Sequence, residues 1–313
     1  MNPAVLDETR IIVPVRNGGA RWCEAATALR RAVPDPSLVT VVDSTSTDGS
    51  ERVCAQHGFG LHRIDPRSFN HGRTRQASVE QFCAGKRFVV FLTQDAVLEN
   101  ESSLLELLQS FGDDAVGAAY GRQLPHHDAR PFEAHAALFN YRPTSETRSL
   151  ADAQRLGIKA AFFSNSYAAY RISALNQCGG FPAHLILGED AYVAMRMLIA
   201  GWCIRYCAEA PVRHSHAYSI LEEMQRYFDF GVMHAQIPEL LQRFGHPEGE
   251  GARFVAAELC YMTRHAPWLL PQVFVRNTAK YAGYRLGRGF KRLPAVWRRR
   301  FSMTKGYWAG NVG

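Results

Sequence analysis

Three short apolar runs that each stop at a polar residue restrict what this chain can fold into. Arg10–Val15 gives way to Arg16-Asn17-Gly18-Gly19, Leu38–Asp43 to the hydroxyl-rich stretch Ser44–Ser50, and Arg87–Leu92 to Thr93-Gln94-Asp95. Runs of this length, rich in β-branched and aromatic residues and bounded by turn formers, read as strands buried on both faces. Helical spacing in Trp22–Ala32 and Leu104–Phe111 and a further strand at Ala115–Tyr120 alternate with them. This order predicts an α/β fold, a mostly parallel twisted sheet flanked by helices. Such sheets bind ligands beyond the carboxyl ends of their strands, and Asn17, Asp43 and Asp95 stand there.

A chain of 313 residues has room for one large domain and a smaller helical region, expected at 1–220 and 221–313. The polar stretch His126–Gly157 reads as a long loop around short helices, of the kind that forms a lid or an acceptor surface. Ala191–Ala200, Ser219–Phe244 and Ala252–His265 have helical spacing, so the last third is mainly α. At 47% hydrophobic and 21% charged, the composition excludes wholesale disorder. No apolar stretch reaches the roughly 18–20 residues of a membrane span. Met1–Arg10 carries Asp7 and Glu8 and lacks the apolar core of a signal peptide. Seven scattered cysteines without a CxxC pair suit a reduced, cytoplasmic chain.

The net charge of +7 is unevenly spread. Eleven Lys and Arg and no acid follow Glu258, which leaves 25 bases against 29 acids in the first 258 residues. A helical wheel over Phe274–Leu293 gathers Val275, Ala279, Ala282, Leu286, Phe290 and Leu293 on one face, with Arg276, Lys280, Arg288 and Lys291 across from them. With Phe274, Tyr281, Tyr284 and Trp297 nearby, this is the pattern of a helix lying in an anionic membrane surface. The same pattern also suits a helix packed by its apolar face on the body, although Gly283, Gly287 and Gly289 weaken it as a helix. No groove-reading motif points to nucleic acid. A chain cut near Pro271 is expected to stay soluble and bind nucleotide.

Several residues carry chemistry with two readings each. Asp43, ahead of Ser44-Thr45-Ser46-Thr47, either accepts the imide N–H of a uracil or thymine ring or caps the following turn. Asp95 either opens a helix or binds a hard divalent cation, Mg²⁺ or Mn²⁺, which one or two carboxylates and substrate phosphates suffice to hold. Gly188-Glu189-Asp190 opens a helix, where the dipole alone favours acids. Asp190 also suits a general base taking a proton from a sugar hydroxyl. His214 and His216 lie on one side of an extended segment and suit a metal or a phosphate.

Taken in order, Ile11–Asn17, Val42–Ser50, Thr93-Gln94-Asp95 and Gly188-Glu189-Asp190 resemble the inverting family 2 glycosyltransferases of GT-A fold, over residues 10–220. Phe69–Gln76, Gly121–Pro125, Phe163–Arg171 and Val212–Tyr218 narrow the resemblance to the rhamnosyltransferase branch that builds bacterial surface polysaccharides such as O-antigen. The resemblance implies transfer of L-rhamnose from dTDP-β-L-rhamnose to a lipid-linked or polysaccharide acceptor, by an enzyme peripheral on the inner face of the membrane. A UDP-sugar donor, or a scaffold that binds without turnover, are the alternatives. It implies Pro14, Arg16, Asn17 and Gln94 around the nucleotide, Asp43 facing the base, and Arg73 and Arg75 on the diphosphate. Asp190 would be the base, with Asn165, Gly180, Phe181 and Glu189 against sugar or acceptor. Thr93 stands where the family has the first acid of its D-x-D, so Asp95 would share the metal with His214 and His216.

Overall fold

The computed structural model describes residues 4–310, so the outer ends of the two expected regions and the first residues of Met1–Arg10 lie outside the described residues. Nine strands form one sheet: β1 (Thr9–Val15), β2 (Val39–Asp43), β3 (Gly60–Arg63), β4 (Phe88–Leu92), β5 (Val97–Leu98), β6 (Val116–Leu124), β7 (Glu146–Arg148), β8 (Tyr167–Arg171) and β9 (Cys203–Arg213). Their order is β3-β2-β1-β4-β8-β6-β9-β5, with β7 beside β9. Six strands share one direction, and β5, β7 and β8 oppose their neighbours. The mostly parallel sheet expected from the sequence is the one observed.

Alternation along the strands divides two cores. Ile12, Val42, Val89 and Phe91 face one side, and Ile11, Val13, Val41 and Val90 face the other. Helix α1 (Gly19–Ala32) covers the second side with Trp22, Ala26 and Leu29. The first side lies under α2 (His71–Phe82), α4 (Glu189–Ile199) and α5 (Ile220–Gln236), where α3 denotes Pro131–Asn140. Both faces of a parallel strand are therefore apolar, which is why β2 and β4 read as unbroken apolar runs.

One residue opens the site. β1 pairs with β2 as far as Val15 opposite Asp43, but its pairing with β4 stops at Ile12 opposite Phe91. Pro14 follows, and it has no N–H to extend a ladder. The chain runs outward from β1 through β2 to β3 and then returns to β4 on the other flank of β1. A crevice at this switch point is where open α/β sheets bind ligands.

Two expectations about local structure change. His126–Gly157 is more ordered than a loop: α3 starts with Pro131, a residue suited to a first helical turn, and β7 adds an edge strand. The wheel of the C-terminal helix holds only in part: Leu286, Phe290 and Leu293 pack against the core and Arg288 and Lys291 are exposed, but its first half is turned round. In α7 (Leu270–Arg288), which follows α6 (Glu248–His265), the buried positions are Val273, Arg276, Lys280, Gly283 and Gly287, while Val275 and Ala282 face solvent. The glycines that weaken the helix on propensity make its contact with α5. A Cβ at Gly283 would lie 2.2 Å from the Met224 carbonyl oxygen, and one at Gly287 2.0 Å from that of Phe228. The two backbones touch, so larger residues have no room.

The cations on that face are neutralised inside the protein. Arg276 Nη1 lies 3.0 Å from Glu223, and Lys280 Nζ lies 3.6 Å from Glu223 and 3.7 Å from Glu258. Phe228, Val232 and Met233 of α5 belong to the same core as the sheet. Cutting near Pro271 would strip α5 of its partner and strand two buried carboxylates, which reverses the expectation of a soluble truncated body. Breaking a buried pair costs about 3–5 kcal/mol. We expect the truncated chain to lose its cooperative thermal transition and G287V to lose about 3 kcal/mol in urea titration. A G287V loss under about 0.5 kcal/mol would show that the seam yields.

Candidate active site

The crevice beyond β1, β2 and β4 is built by side chains that tie loop to loop. Gln94 bridges to the Arg16 backbone in both directions: its Oε1 accepts from Arg16 N–H at 2.7 Å, and its Nε2 donates to Arg16 C=O at 3.3 Å. Asn17 adopts positive φ and accepts from Thr47 N–H, while its own N–H donates to Ser46 Oγ. Ser46 in turn donates from both N–H and Oγ–H to Asp43, which is buried. Asp43 thus caps its own turn, the local reading of that residue. Arg16 and Asn17 are exposed and Pro14 half-buried at the rim.

Asp95, His214 and His216 come together as expected. His214 Nε2 is 3.5 Å from one Asp95 oxygen and His216 Nδ1 is 3.6 Å from the other. Among the described residues, this is the one group of three acidic, His or Cys ligands whose donor atoms all lie within 4.8 Å of one another. His214 Nδ1 is 2.8 Å from Gln123 Oε1, whose amide Nε2 donates to Ser164 Oγ. That orientation makes Nδ1 the donor and leaves Nε2 facing Asp95. Burial, then His214, pushes the His216 imidazole down to about 4, so His216 is neutral near pH 7. Burial opposes the Asp95 charge, but the hydrogen bond and charge of His214 outweigh it and hold the carboxyl below its ordinary range. One carboxylate and two imidazole lone pairs converging on one point fit a divalent cation.

Asp190 stands at the start of α4, half-buried, with its oxygens accepting from Asn165 N–H at 3.1 Å and Ala191 N–H at 2.8 Å. Burial first, then the charge of Glu189, raises its carboxyl to about 6. Asn165 is the neighbour of Ser164, so one backbone segment connects Asp190 to the Gln123–His214 hydrogen bond.

Five residues expected to meet diphosphate, sugar or acceptor are instead internal. Arg75 is buried and donates to Glu189 Oε1 at 2.8 Å. Asn165 Nδ2 donates to the same oxygen at 3.0 Å, and its Oδ1 accepts from Tyr170 at 2.6 Å. Burial opposes the Glu189 charge, and Arg75 outweighs it to hold that carboxyl below its usual range. Phe181 packs between Phe91 and Tyr170 in the core. Gly180 makes the turn before it, where the Phe181 N–H donates to Gln76. These residues hold Asp190 from behind, because pairing a buried charge consumes the groups that a ligand would need. Arg73 differs: it is exposed on the first turn of α2.

Gln123, Ser164 and Tyr170 were not singled out as site residues from the sequence. A polar amide in the otherwise buried run of β6 is the signal for Gln123, since a buried amide needs partners. Beside the cluster, a cavity of about 440 Å³ is lined by Phe132, Tyr141, His216, Tyr218, Leu269 and Gln272, among others. Part of its wall therefore comes from the C-terminal region.

The sequence profile described as "Glycosyltransferase like family 2" matches residues 9–228. The chain is a family 2 glycosyltransferase. This glycosyltransferase is 46% identical over 302 residues to the O-antigen chain rhamnosyltransferase WbaN of Salmonella anatum, with 95% of each chain covered. It is 42% identical over 299 residues to the O-antigen chain rhamnosyltransferase RfbN of Salmonella typhimurium, again with 95% of each covered. The fold resembles that of the mannosyltransferase PcManGT from Pyrobaculum calidifontis in complex with GDP-Man and Mn²⁺, at TM-score 0.55 and 18% identity over 97% of this chain and 87% of the other. It also resembles S. aureus TarS 1-349, at TM-score 0.54 and 16% identity over 91% of each chain. The GT-A fold implied by the motifs is the fold observed.

Two outcomes are expected. D190N should lose transfer by roughly 10²–10⁴-fold with nucleotide affinity unchanged, and in the native enzyme kcat should fall tenfold per pH unit below about 6, as the base takes up a proton. Near-native turnover by D190N would remove Asp190 from the reaction. E189Q should lower the unfolding free energy by about 3–5 kcal/mol, because Arg75 is left as an unpaired buried charge; unchanged stability in urea titration would contradict the pairing.

Proposed function

We propose that this enzyme transfers L-rhamnose with inversion from dTDP-β-L-rhamnose to a lipid-linked O-antigen glycan, working as a peripheral protein on the cytoplasmic face of the membrane. One observation carries the chemistry: a carboxyl raised to about 6 is held by Asn165, whose neighbour Ser164 reaches the Asp95–His214–His216 cluster through Gln123. The choice of sugar and glycan is supported by the two Salmonella relatives, whose likeness spans 95% of the chain.

In this reading the acceptor hydroxyl attacks the anomeric carbon and gives its proton to Asp190, while the bond from that carbon to the diphosphate oxygen breaks on the opposite face. Asn165 and Ala191 aim the carboxylate, and burial keeps it basic enough to take the proton near neutral pH. Pro14, Arg16 and Asn17 line the nucleotide end, with the remaining lone pairs of Asp43 toward the base. Arg73 reaches the diphosphate from the first turn of α2. A divalent cation, Mn²⁺ or Mg²⁺, held by Asp95, His214 and His216 would supply positive charge to the departing diphosphate. The cavity beside that cluster takes the acceptor glycan, with Phe132, Tyr141 and Tyr218 offering rings to sugar faces and Gln272 a hydrogen-bonding amide.

Thermal-shift titration tests the donor and the metal together. dTDP should stabilise the enzyme more than UDP does, and Mn²⁺ should increase the effect. D95A should weaken dTDP binding roughly tenfold or more with Mn²⁺ present and leave it unchanged with the metal chelated. Equal weakening in both conditions would remove the metal from Asp95, and preference for UDP would replace the donor.

A further inference from the structure

Six of the large hydrophobic side chains exposed on this protein fall within 30 residues of one another: Trp268 (73% exposed), Phe274 (64%), Val275 (54%), Tyr281 (58%), Val296 (76%) and Trp297 (46%). Phe274, Thr278, Tyr281 and Arg285 follow one another at helical spacing along α7, with Val275 and Ala282 beside them. This strip is opposite the glycine seam that faces α5. The packing of α7 explains it: the seam takes the small residues and the two cations that have acidic partners, and the aromatic side is left outward.

The charge around the strip has one sign. No acid follows Glu258, and of the eleven bases in that segment only Arg276 and Lys280 are buried on carboxylates. Arg264, Arg285, Arg288, Lys291, Arg292, Arg299, Arg300 and Lys305 are exposed. Aromatic and aliphatic side chains beside unopposed cations are the chemistry of an interface that holds phosphate headgroups at its surface and acyl chains beneath. Among the described residues no helix is long and apolar enough to cross a membrane, so contact would be along the surface.

We propose that the outward face of α7, with Trp268 before it, is the surface on which this enzyme lies against an anionic lipid leaflet. The proposal rests on the lipid-linked acceptor read above and adds the orientation. Leu269, Gln272 and Arg276 line the cavity beside the metal cluster, and Trp268, Phe274 and Val275 of the same segment face outward. Docking this strip brings the cavity to the membrane surface, where an acceptor carried on lipid enters without leaving the leaflet. Phe290 lies in part against the main core, packed on Trp308, so the anchoring aromatics are those of the strip.

Vesicle co-sedimentation of the full chain tests this. The native protein should sediment with phosphatidylcholine–phosphatidylglycerol vesicles at low salt roughly tenfold more than with phosphatidylcholine alone, and rising salt should release it. Combined W268S, F274S and Y281S substitutions, all at exposed positions, should lower that partition roughly tenfold and leave Tm and dTDP affinity unchanged. Transfer to a soluble acceptor analogue should persist, while transfer to a vesicle-borne acceptor falls. Equal partition of variant and native protein, or no preference for the anionic vesicle, overturns the proposal. So does a native dimer in sedimentation velocity that the variant converts to monomer with vesicle binding unchanged, since the face would then belong to a second copy. Failure to turn over dTDP-rhamnose would overturn the donor assignment and leave the partition result standing.

Discussion

The ion pair between Arg75 and Glu189 is the interaction on which the catalytic arrangement depends. Both side chains are about 5% exposed, so neither charge is shared with bulk water. Glu189 sits next to Asp190 in the chain and adjoins it electrostatically, which helps raise the Asp190 carboxyl. Arg75 keeps Glu189 ionised and moderates that effect, and in doing so joins α2 to the start of α4. Asn165 completes the arrangement, with its amide on Glu189, its carbonyl on Tyr170 and its backbone N–H on Asp190. The Asp190 carboxyl is therefore aimed by internal groups.

The opposite side of the crevice depends on backbone rather than charge. The ladder to β4 stops at Ile12, three residues before β1 itself ends, and Gln94 spans the resulting gap to hold Arg16. Asp43 and Ser46 hold the next loop in a shape that requires positive φ at Asn17 and Thr45. Residues in such conformations store strain and persist only where neighbours fix them, and here the fixing hydrogen bonds run between loops, from Asn17 to Ser46 and Thr47 and from Thr45 to Ile64.

The C-terminal region is part of the same body. Its helix α7 meets α5 backbone to backbone, its cations neutralise Glu223 and Glu258, and its first residues wall the cavity beside the Asp95–His214–His216 cluster. A sequence-based wheel sorts residues by polarity and so places Arg276 and Lys280 outside. The structure sorts them by partner: a buried cation is tolerable where a carboxylate meets it, and a glycine seam excludes the large apolar side chains from the contact.

Local pattern alone showed β1, β2, β4 and β6, the mostly parallel sheet and the polar residues at strand ends, because period and run length depend on which faces are buried; β3, β5, β7, β8 and β9, and the reversed direction of three of them, came only with the tertiary structure. It also placed Asp95, His214, His216 and Asp190, since each stands at a strand end or helix start where short polar motifs are conspicuous. Tertiary structure decided what those motifs share. Arg75 and Arg73 are two residues apart on one helix and equivalent by composition, yet one faces Glu189, 114 positions along the chain, and the other faces solvent. Gln123 and Ser164 become a link between base and cluster only when β6 comes beside the segment before β8. Which face of α7 is buried was likewise settled by α5 and the carboxylates opposite it. Pairing of charges and contact of backbones are properties of two segments at once, and a single segment of sequence carries only half of each.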